Sequence, residues 1–161
     1  FVVVSHEIFK TEELAIREEH DIVYREGADS NKLPPTAKQA PDGAVWSRNI
    51  IPDPVLLFRY SALTFNGHRI HYDLPYVKEE EGYPGLVVHG PLIATFLMDL
   101  CRREKPNSTL ANFNYRAISP LFEIEAFSVN GVPADDKKCA SLWAANNSGM
   151  LAMQAEAIFK E

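Results

Sequence analysis

One stretch of this sequence constrains the fold more than any other, because it predicts a helix with apolar side chains on almost every side. In the run PLIATFLMDLCRRE, from Pro91 to Glu104, large apolar residues stand at positions 92, 93, 96, 97 and 100, which is the spacing of an α-helix. Ala94, Met98 and Cys101 extend the apolar surface around the other sides. Since such a helix needs apolar partners in nearly every direction, we expect the rest of the domain to wrap around it.

The sequence after this helix has the pattern of strands that can cover it. Four segments alternate apolar and polar residues or are mainly apolar, as strands are: Ala111 to Ala117, Phe122 to Val129, Cys139 to Asn146 and Met150 to Phe159. Asn130-Gly131 is predicted to end the second strand, and Asn147-Ser148-Gly149 to join the last two in a hairpin. One buried helix followed by a four-stranded antiparallel meander predicts an α+β fold.

The beginning of the chain is predicted to be an antiparallel hairpin of the segments Phe1 to Phe9 and Leu14 to Arg25, because apolar residues alternate with charged ones in the second. A helix from Thr11 is the alternative, since TEELAIREEH contains good helix formers, but the following DIVYR favours a strand. From Glu26 to Gly43 the composition shifts to Gly, Asp, Ser, Asn, Lys and Pro, which is typical of a linker. We therefore divide the chain into a terminal hairpin at 1–25, a linker at 26–44 and a domain at 45–161.

Three shorter elements are expected between the linker and the central helix. The segment Val45 to Ile51 has the composition of a strand. Asp53-Pro54 is typical of a helix start, with Asp as the N-cap and Pro at the first helical position, and this helix is expected to end near Asn66-Gly67. Asp73 is expected to cap a second, short helix.

Charge and cysteine content narrow the class of protein. The chain carries 16 Lys and Arg against 22 Asp and Glu, a net charge of -6, and its basic residues are scattered, so the pattern of a nucleic-acid-binding protein is missing. Its longest apolar runs are too short to cross a membrane. Cys101 and Cys139 are interpreted as reduced, structural thiols, which predicts the cytoplasm or the mitochondrial matrix.

Reactive side chains are concentrated between Phe58 and Leu92, where three of the five histidines lie. His71 stands five residues after Asn66 and three after His68, in an irregular segment where such side chains can converge on one pocket. A neutral imidazole is suited to moving a proton near neutral pH, whereas an amide can hold a water or a carbonyl but cannot act as a base. Gly90 opens the central helix, where free backbone N–H groups and the helix dipole favour an oxyanion.

Two segments of this region resemble a known family. FRYSALTFNGHRIHYD and GYPGLVVHGPL are similar to the MaoC-like, hot-dog-fold enoyl-thioester hydratases, and within them to the branch that contains mesaconyl-C4-CoA hydratase, itaconyl-CoA hydratase and hydroxyacyl-thioester dehydratase type 2. The resemblance covers about Val45 to the end, and FVVVSHEI with EEHDIVYR matches what precedes it in that branch. It implies a hot-dog fold, in which an antiparallel sheet wraps a long central helix, preceded by part of a first hot-dog repeat.

Carried over by position, the resemblance implies that His71 is the catalytic base and that the backbone N–H of Gly90 binds the oxyanion. The Asp that orients water in the wider family falls on Asn66, a departure that leaves the activation of water to His71. The implied reaction is the reversible addition of water to an α,β-unsaturated acyl thioester, with no cofactor and no metal. Substrate contacts are further expected at Tyr60, His68, Arg69, Val88 and His89.

The resemblance also implies a substrate class and an assembly. The substrate would be an acyl-CoA or acyl-ACP thioester, with a short-chain acyl group or a C5 dicarboxylic one such as mesaconyl-CoA or itaconyl-CoA. Because members of this branch have two hot-dog repeats, the chain is expected to act as a homodimer or as a double hot-dog whose N-terminal part is missing from this sequence.

Other interpretations of the same residues remain open. His71 could be a hydrogen-bonded structural histidine or, with His68, a metal ligand; Asn66 could cap the preceding helix, and Gly90 could be a helix-start glycine only. Two other functions use the same elements. A hot-dog thioesterase would place a carboxylate near the helix, and a non-catalytic module would bind acyl thioesters without converting them.

Overall fold

A computed structural model of the chain describes residues 1–22, 24 and 37–160, and the chain forms two compact units, Phe1–Pro35 and Thr36–Glu161. The elements are, in chain order, β1 (Val2–Lys10), β2 (Glu13–Ile22), β3 (Trp46–Ile50), α1 (Pro54–Thr64), a 3-10 turn (Arg69–His71), α2 (Leu74–Glu79), α3 (Gly90–Glu104), β4 (Thr109–Ala117), β5 (Phe127–Pro133), β6 (Cys139–Asn146) and β7 (Leu151–Lys160).

The first unit contains the predicted hairpin. Strands β1 and β2 pair antiparallel from Val2 opposite Ile22 to Lys10 opposite Glu13, so the alternative of a helix from Thr11 is wrong. The turn places Thr11 in the left-handed region at φ 57°, and Arg17 donates two hydrogen bonds to Glu7 across the strands. The end of the second predicted strand, at Arg25, lies outside the described residues.

Most of the predicted linker at 26–44 also lies outside the described residues. The part from residue 37 onward belongs to the second unit and is tied to the hairpin of β6 and β7 there. Gln39 forms an isolated bridge with Met150, and the Ala40 N–H donates to the Gly149 carbonyl over 2.9 Å.

The second unit is built around α3, as the apolar run predicted. This helix contacts all five strands of one antiparallel sheet, and its buried side chains form the centre of the core with residues such as Leu142 and Met153. Pro91 stands in its first turn, where a missing N–H costs nothing. The helix ends with Arg102 and Arg103, both bonded to Asp99 and both favourable at a helix C-terminus. No helix in the described part of the chain is long and apolar enough to cross a membrane.

The two shorter helices begin where the sequence predicted. Asp53 caps α1 by accepting the Leu56 N–H at 2.9 Å, and Asp73 caps α2 by accepting the Tyr76 N–H at 3.2 Å. Helix α1 ends at Phe65, which adopts the left-handed conformation at φ 53°. The chain then turns sharply toward the histidine-rich segment.

The predicted strand Phe122 to Val129 is wrong in its bounds, because the strand is β5 and runs through Asn130-Gly131 instead of ending there. Asn130 is buried and bonds to the side chains of Ser47 and Ser128. A Cβ on Gly131 would lie 2.7 Å from Leu142 and 2.9 Å from Trp46. The glycine therefore allows close packing within the sheet and does not mark a turn.

The predicted meander of the last four strands is also wrong, because β4 pairs with β7 and not with β5, and the sheet order is β3-β5-β6-β7-β4. Residues 118–126 do not form a tight turn between β4 and β5. The Ile118 N–H donates to the Ala152 carbonyl, and farther along the connection Leu121 accepts the Val88 N–H at 2.8 Å. This connection crosses to the segment before α3, so β4 stays beside β7 and β3 occupies the open edge of β5.

Candidate active site

A short series of turns places His71 inside the second unit. After α1 ends, the Asn66 N–H donates to the Ser61 carbonyl at 2.9 Å, and the Asn66 side-chain oxygen accepts the His68 N–H at 3.0 Å. This side-chain turn leads directly into the 3-10 turn whose last residue is His71. The imidazole is only 7% exposed.

One hydrogen bond fixes the tautomer of His71. Its Nδ1 lies 2.7 Å from the Val87 carbonyl oxygen, and because a carbonyl can only accept, Nδ1 carries the hydrogen. In the neutral ring the free lone pair is therefore on Nε2. His71 is presented as a base with one defined basic atom.

The carbonyl that fixes His71 is itself held from two sides. The Val87 N–H donates to the Ile70 carbonyl at 2.9 Å, and Val87 forms an isolated bridge with Phe122. The next residue, Val88, donates its N–H to Leu121. The acceptor of His71 therefore stands on a short extended segment that is anchored both to the 3-10 turn and to the 118–126 connection.

A second histidine, His89, stacks directly on His71. The ring centroids are 3.7 Å apart and the ring planes differ by 18°. His89 is 1% exposed, and its Nε2 lies 2.8 Å from the Ser61 hydroxyl on α1. The Tyr60 ring meets it edge-on at 4.8 Å. His89 is also the N-cap residue of α3, so the stack brings the base to the start of the central helix.

Burial keeps both imidazoles neutral. Desolvation lowers the pKa of His71, against the opposing effect of its bond to Val87, and the nearby His68 lowers it further. Desolvation, together with the like charge of His71, lowers the pKa of His89 to about 4. At neutral pH His71 is therefore ready to accept a proton, and His89 does not compete for it.

Gly90 is the first residue of α3, where the helix leaves backbone N–H groups without intrahelical acceptors. A Cβ placed on this glycine would meet no atom within 4 Å. The space beside the Gly90 Cα at the helix start is thus open. The positive end of the helix dipole favours negative charge at this point.

The other predicted substrate contacts fall into two groups. His89 stacks on His71 and Tyr60 meets His89 edge-on, while His68 is exposed and meets His71 edge-on at 5.7 Å. The structure does not bring Arg69 and Val88 into this group. Arg69 donates two bonds to Asp73 and covers the Tyr76 ring, and the side chain of Val88 is in the core.

Ser61 and the Val87 carbonyl are parts of the site that the sequence did not predict. A weak signal existed for Ser61, because it stands four residues after Leu57 and both are on the buried face of α1. A hydroxyl on an apolar face needs a buried partner. Nothing in the sequence marks a backbone carbonyl in the same way.

The described residues contain no group of three or more His, Cys, Asp or Glu side chains arranged to hold a metal ion. The two donors considered for a metal, His68 and His71, meet at their ring edges. Nδ1 of His71 is hydrogen-bonded to the Val87 carbonyl.

The stack should make the stability of the protein depend on pH. In the unfolded chain His89 titrates near its ordinary value of 6.5, and in the folded chain near 4, so between these values the unfolded state binds more protons. The free energy of unfolding should therefore be fully developed above pH 6.5 and fall by on the order of 3 kcal/mol as the pH drops to about 4. Urea unfolding at a series of pH values measures this slope, to which His71 adds in the same direction.

In His89→Phe the slope should become shallower, because a buried titrating group is gone. His20→Phe, which removes an exposed histidine, is the matched control and should keep the wild-type slope. An equal slope in wild type and His89→Phe would contradict the assignment of this pH dependence to His89.

Comparison with known proteins identifies the family of the chain. The family model of hydroxyacyl-thioester dehydratase type 2 matches residues 1–123. The mesaconyl-C(4)-CoA hydratase of Chloroflexus aurantiacus is 47% identical over 137 residues, which cover 85% of this chain and 49% of that protein. The mitochondrial hydroxyacyl-thioester dehydratase type 2 of Schizosaccharomyces pombe is 41% identical over 73 residues, 44% of this chain and 24% of that protein. The chain thus spans about half the length of the first relative and about a quarter of the second.

The solved structures show the fold. The (R)-hydratase from A. caviae superposes with a TM-score of 0.63 at 18% identity, covering 83% of this chain and 98% of that one. This likeness, with a central helix against an antiparallel sheet, confirms the predicted α+β hot-dog fold.

Proposed function

Because the chain belongs to the hydroxyacyl-thioester dehydratase type 2 family, we propose that it catalyses the reversible addition of water to an α,β-unsaturated acyl thioester. One observation carries the proposal. His71 is a buried base with a free Nε2, and it stacks on the residue that precedes the open start of α3. A base and an oxyanion site are thereby brought together, as this reaction requires.

In the hydration direction, Nε2 of His71 accepts a proton from water while the water oxygen forms a bond to the β-carbon. The electrons of the carbon–carbon double bond shift toward the carbonyl, and the thioester oxygen becomes an enolate oxygen. His71 then returns the proton to the α-carbon on the same face. The product is a β-hydroxyacyl thioester, and the base is neutral again. Dehydration is the same sequence in reverse.

Gly90 has the role of stabilising the enolate oxygen. Its backbone N–H stands at the positive end of α3, and no atom lies within 4 Å of the place that a Cβ on this glycine would take. A donor held in place before the reaction stabilises the developing charge without reorganising, and such a donor contributes about 10²–10³-fold in rate.

We assign Asn66 a supporting role toward the substrate or the water. Its side-chain oxygen already accepts the His68 N–H, which leaves the second lone pair of that oxygen as an acceptor and the amide nitrogen as a donor. The C-cap residue of α1 is Phe65, and Asn66 contributes its backbone N–H to the Ser61 carbonyl at the end of that helix. An amide in this position leaves proton transfer to His71.

The substrate proposed is a CoA or acyl-carrier-protein thioester of a short-chain or C5 dicarboxylic acid. The name of the Chloroflexus relative makes mesaconyl-C4-CoA the first substrate to test. Arg69 is a poor candidate for binding a substrate carboxylate, because its guanidinium is already paired with Asp73. Any such contact would have to break that ion pair.

We further propose that a second hot-dog unit, either a copy of this chain or another repeat, adjoins the site. Large apolar side chains on the outer side of α1 support this, since Val55, Phe58 and Leu63 are exposed, and Phe65 after the helix is 96% exposed.

The compartment proposed remains the cytoplasm or the mitochondrial matrix. The free thiols Cys101, which is buried, and Cys139, which is exposed, support it.

Incubating the protein with mesaconyl-C4-CoA and with crotonyl-CoA tests the proposed reaction. We expect the absorbance of the conjugated thioester to fall, with a hydrated product in the mass spectrum and no free thiol. Release of thiol would instead assign a thioesterase. Binding of CoA esters without either change would make the chain a non-catalytic binding module.

A further inference from the structure

We propose that His89, anchored by Ser61, is a positioning residue that holds His71 in its reactive orientation. The inference rests on the proposed function, in which His71 is the base. It assigns the stacked pair a task that is distinct from substrate binding, which was the role expected for His89.

The two contacts of His71 restrain different motions of its ring. The hydrogen bond from Nδ1 to Val87 fixes one direction in the ring plane. It leaves rotation about that bond free, and such rotation would swing Nε2 out of position. The His89 ring, nearly parallel at 3.7 Å, blocks that rotation on one face. Together the two contacts define where the lone pair of Nε2 points.

His89 can restrain another ring only because it is restrained itself. It is 1% exposed, and the Ser61 hydroxyl on α1 holds its Nε2 at 2.8 Å. The edge of Tyr60 closes another side. Since His89 is also the residue before Gly90, the same anchor sets the position of His71 relative to the start of α3. A support of this kind matters because a displacement of about 1 Å in a reacting group can cost about 10²-fold in rate.

His89 is placed to support the base, and its geometry does not suit it to relay a proton. Its Nδ1 is buried and has no hydrogen-bond partner among the described residues, so none of those residues is placed to take a proton from it. The groups that face His71 are His68 on its own turn, His89 on α3 and the Val87 carbonyl. No acidic side chain in the described part of the chain is among them. A neutral ring against His71 is therefore compatible with the positive charge that His71 gains when it takes a proton.

Three substitutions separate positioning from a general structural effect. His89→Ala removes the stacked ring and lets water beside His71, so we expect kcat to fall about 100-fold with little change in KM. We also expect the acid limb of the pH profile of kcat/KM to move up toward the ordinary histidine value, because desolvation of His71 is relieved. His89→Phe restores an aromatic ring without the bond to Ser61, so it should raise kcat to about the level of Ser61→Ala and restore the wild-type pH profile.

Ser61→Ala tests the anchor and should lower kcat by about 10-fold. Because the hydroxyl is proposed to act only through His89, the same change should have no effect on kcat when it is added to His89→Phe. Ser128→Ala, which removes a half-buried hydroxyl from β5, is the matched control and should leave kcat unchanged. If His89→Ala does not fold, the proposal is tested by Ser61→Ala and by the double variant of Ser61→Ala with His89→Phe.

A nitrogen-15 NMR titration of the histidines gives a readout that does not depend on turnover. In wild type, His71 should be in the tautomer protonated at Nδ1, and its titration should move in His89→Ala and return in His89→Phe. The proposal is overturned if His89→Phe is as impaired as His89→Ala, or if Ser61→Ala costs the same in both backgrounds. If the wild type is inactive but shows these NMR changes, the proposed reaction is wrong, whereas the positioning of His71 by His89 is supported.

Discussion

Replacing His71 with alanine should lower kcat/KM for hydration by about 10²–10⁴-fold, the range by which a positioned general base accelerates proton transfer. The side chain is the buried imidazole whose Nδ1 is fixed by Val87 and whose Nε2 is free. Burial lowers its pKa, so at neutral pH the wild-type ring is unprotonated and can act as a base. No other imidazole can take over, because His89 is bonded to Ser61 and His68 is on the exposed side of the turn.

The measurement is the loss of enoyl-thioester absorbance for wild type and His71→Ala under the same conditions. His71→Ala also leaves the Val87 carbonyl without its partner, so thermal melting must show that the variant is folded. Adding free imidazole should restore part of the rate, because the substitution opens a space of the same shape. His20→Ala, at an exposed histidine of β2, should match wild type. A folded His71→Ala with the wild-type rate would exclude His71 as the base.

The helices of this fold could be predicted from the sequence because their signals are local. The apolar spacing of α3 and the caps Asp53 and Asp73 each depend on residues within a few positions of one another. The pairing of Arg69 with Asp73, four residues on, was also available from spacing. The prediction of Arg69 as a substrate contact overlooked that pair.

The sheet order could not be predicted from the local pattern, because it depends on contacts between strands that are far apart in the sequence. Asn130-Gly131 has the composition of a turn, yet it lies within β5 because Trp46 and Leu142 pack against the glycine. Nothing near position 131 in the sequence announces those neighbours. Likewise, β4 pairs with β7, while the 118–126 connection bonds to the segment before α3.

The site divides in the same way between local and distant information. The motif placed His71 on a turn and Gly90 at a helix start, and the structure puts them there. The partners that define their chemistry come from farther away, since Ser61 meets His89 across 28 residues and Val87 meets His71 across 16. These contacts identify the substitutions that test the proposed role of each residue.

The sharpest of those tests is Gly90→Ala, which should lower kcat/KM by about 100-fold or more without destabilising the protein. A Cβ at this position meets nothing within 4 Å, and the residue is not in the left-handed region, so the methyl group fits the free protein. Alanine also suits a helix better than glycine. We propose that the thioester oxygen approaches the Gly90 N–H through the open space beside this Cα, so the same methyl should block the approach and remove the stabilisation of the enolate.

The test compares hydration rates and melting temperatures of wild type, Gly90→Ala and Gly67→Ala. Gly67 is a matched control because a Cβ there also meets no atom within 4 Å, but it stands before the 3-10 turn and not at the start of α3. We expect Gly67→Ala to keep most of the activity, because the methyl is added away from the helix start. If Gly90→Ala is folded and as active as wild type, the oxyanion does not bind at this N–H. In that case a different hydrogen-bond donor would have to stabilise the enolate oxygen while His71 acts as the base.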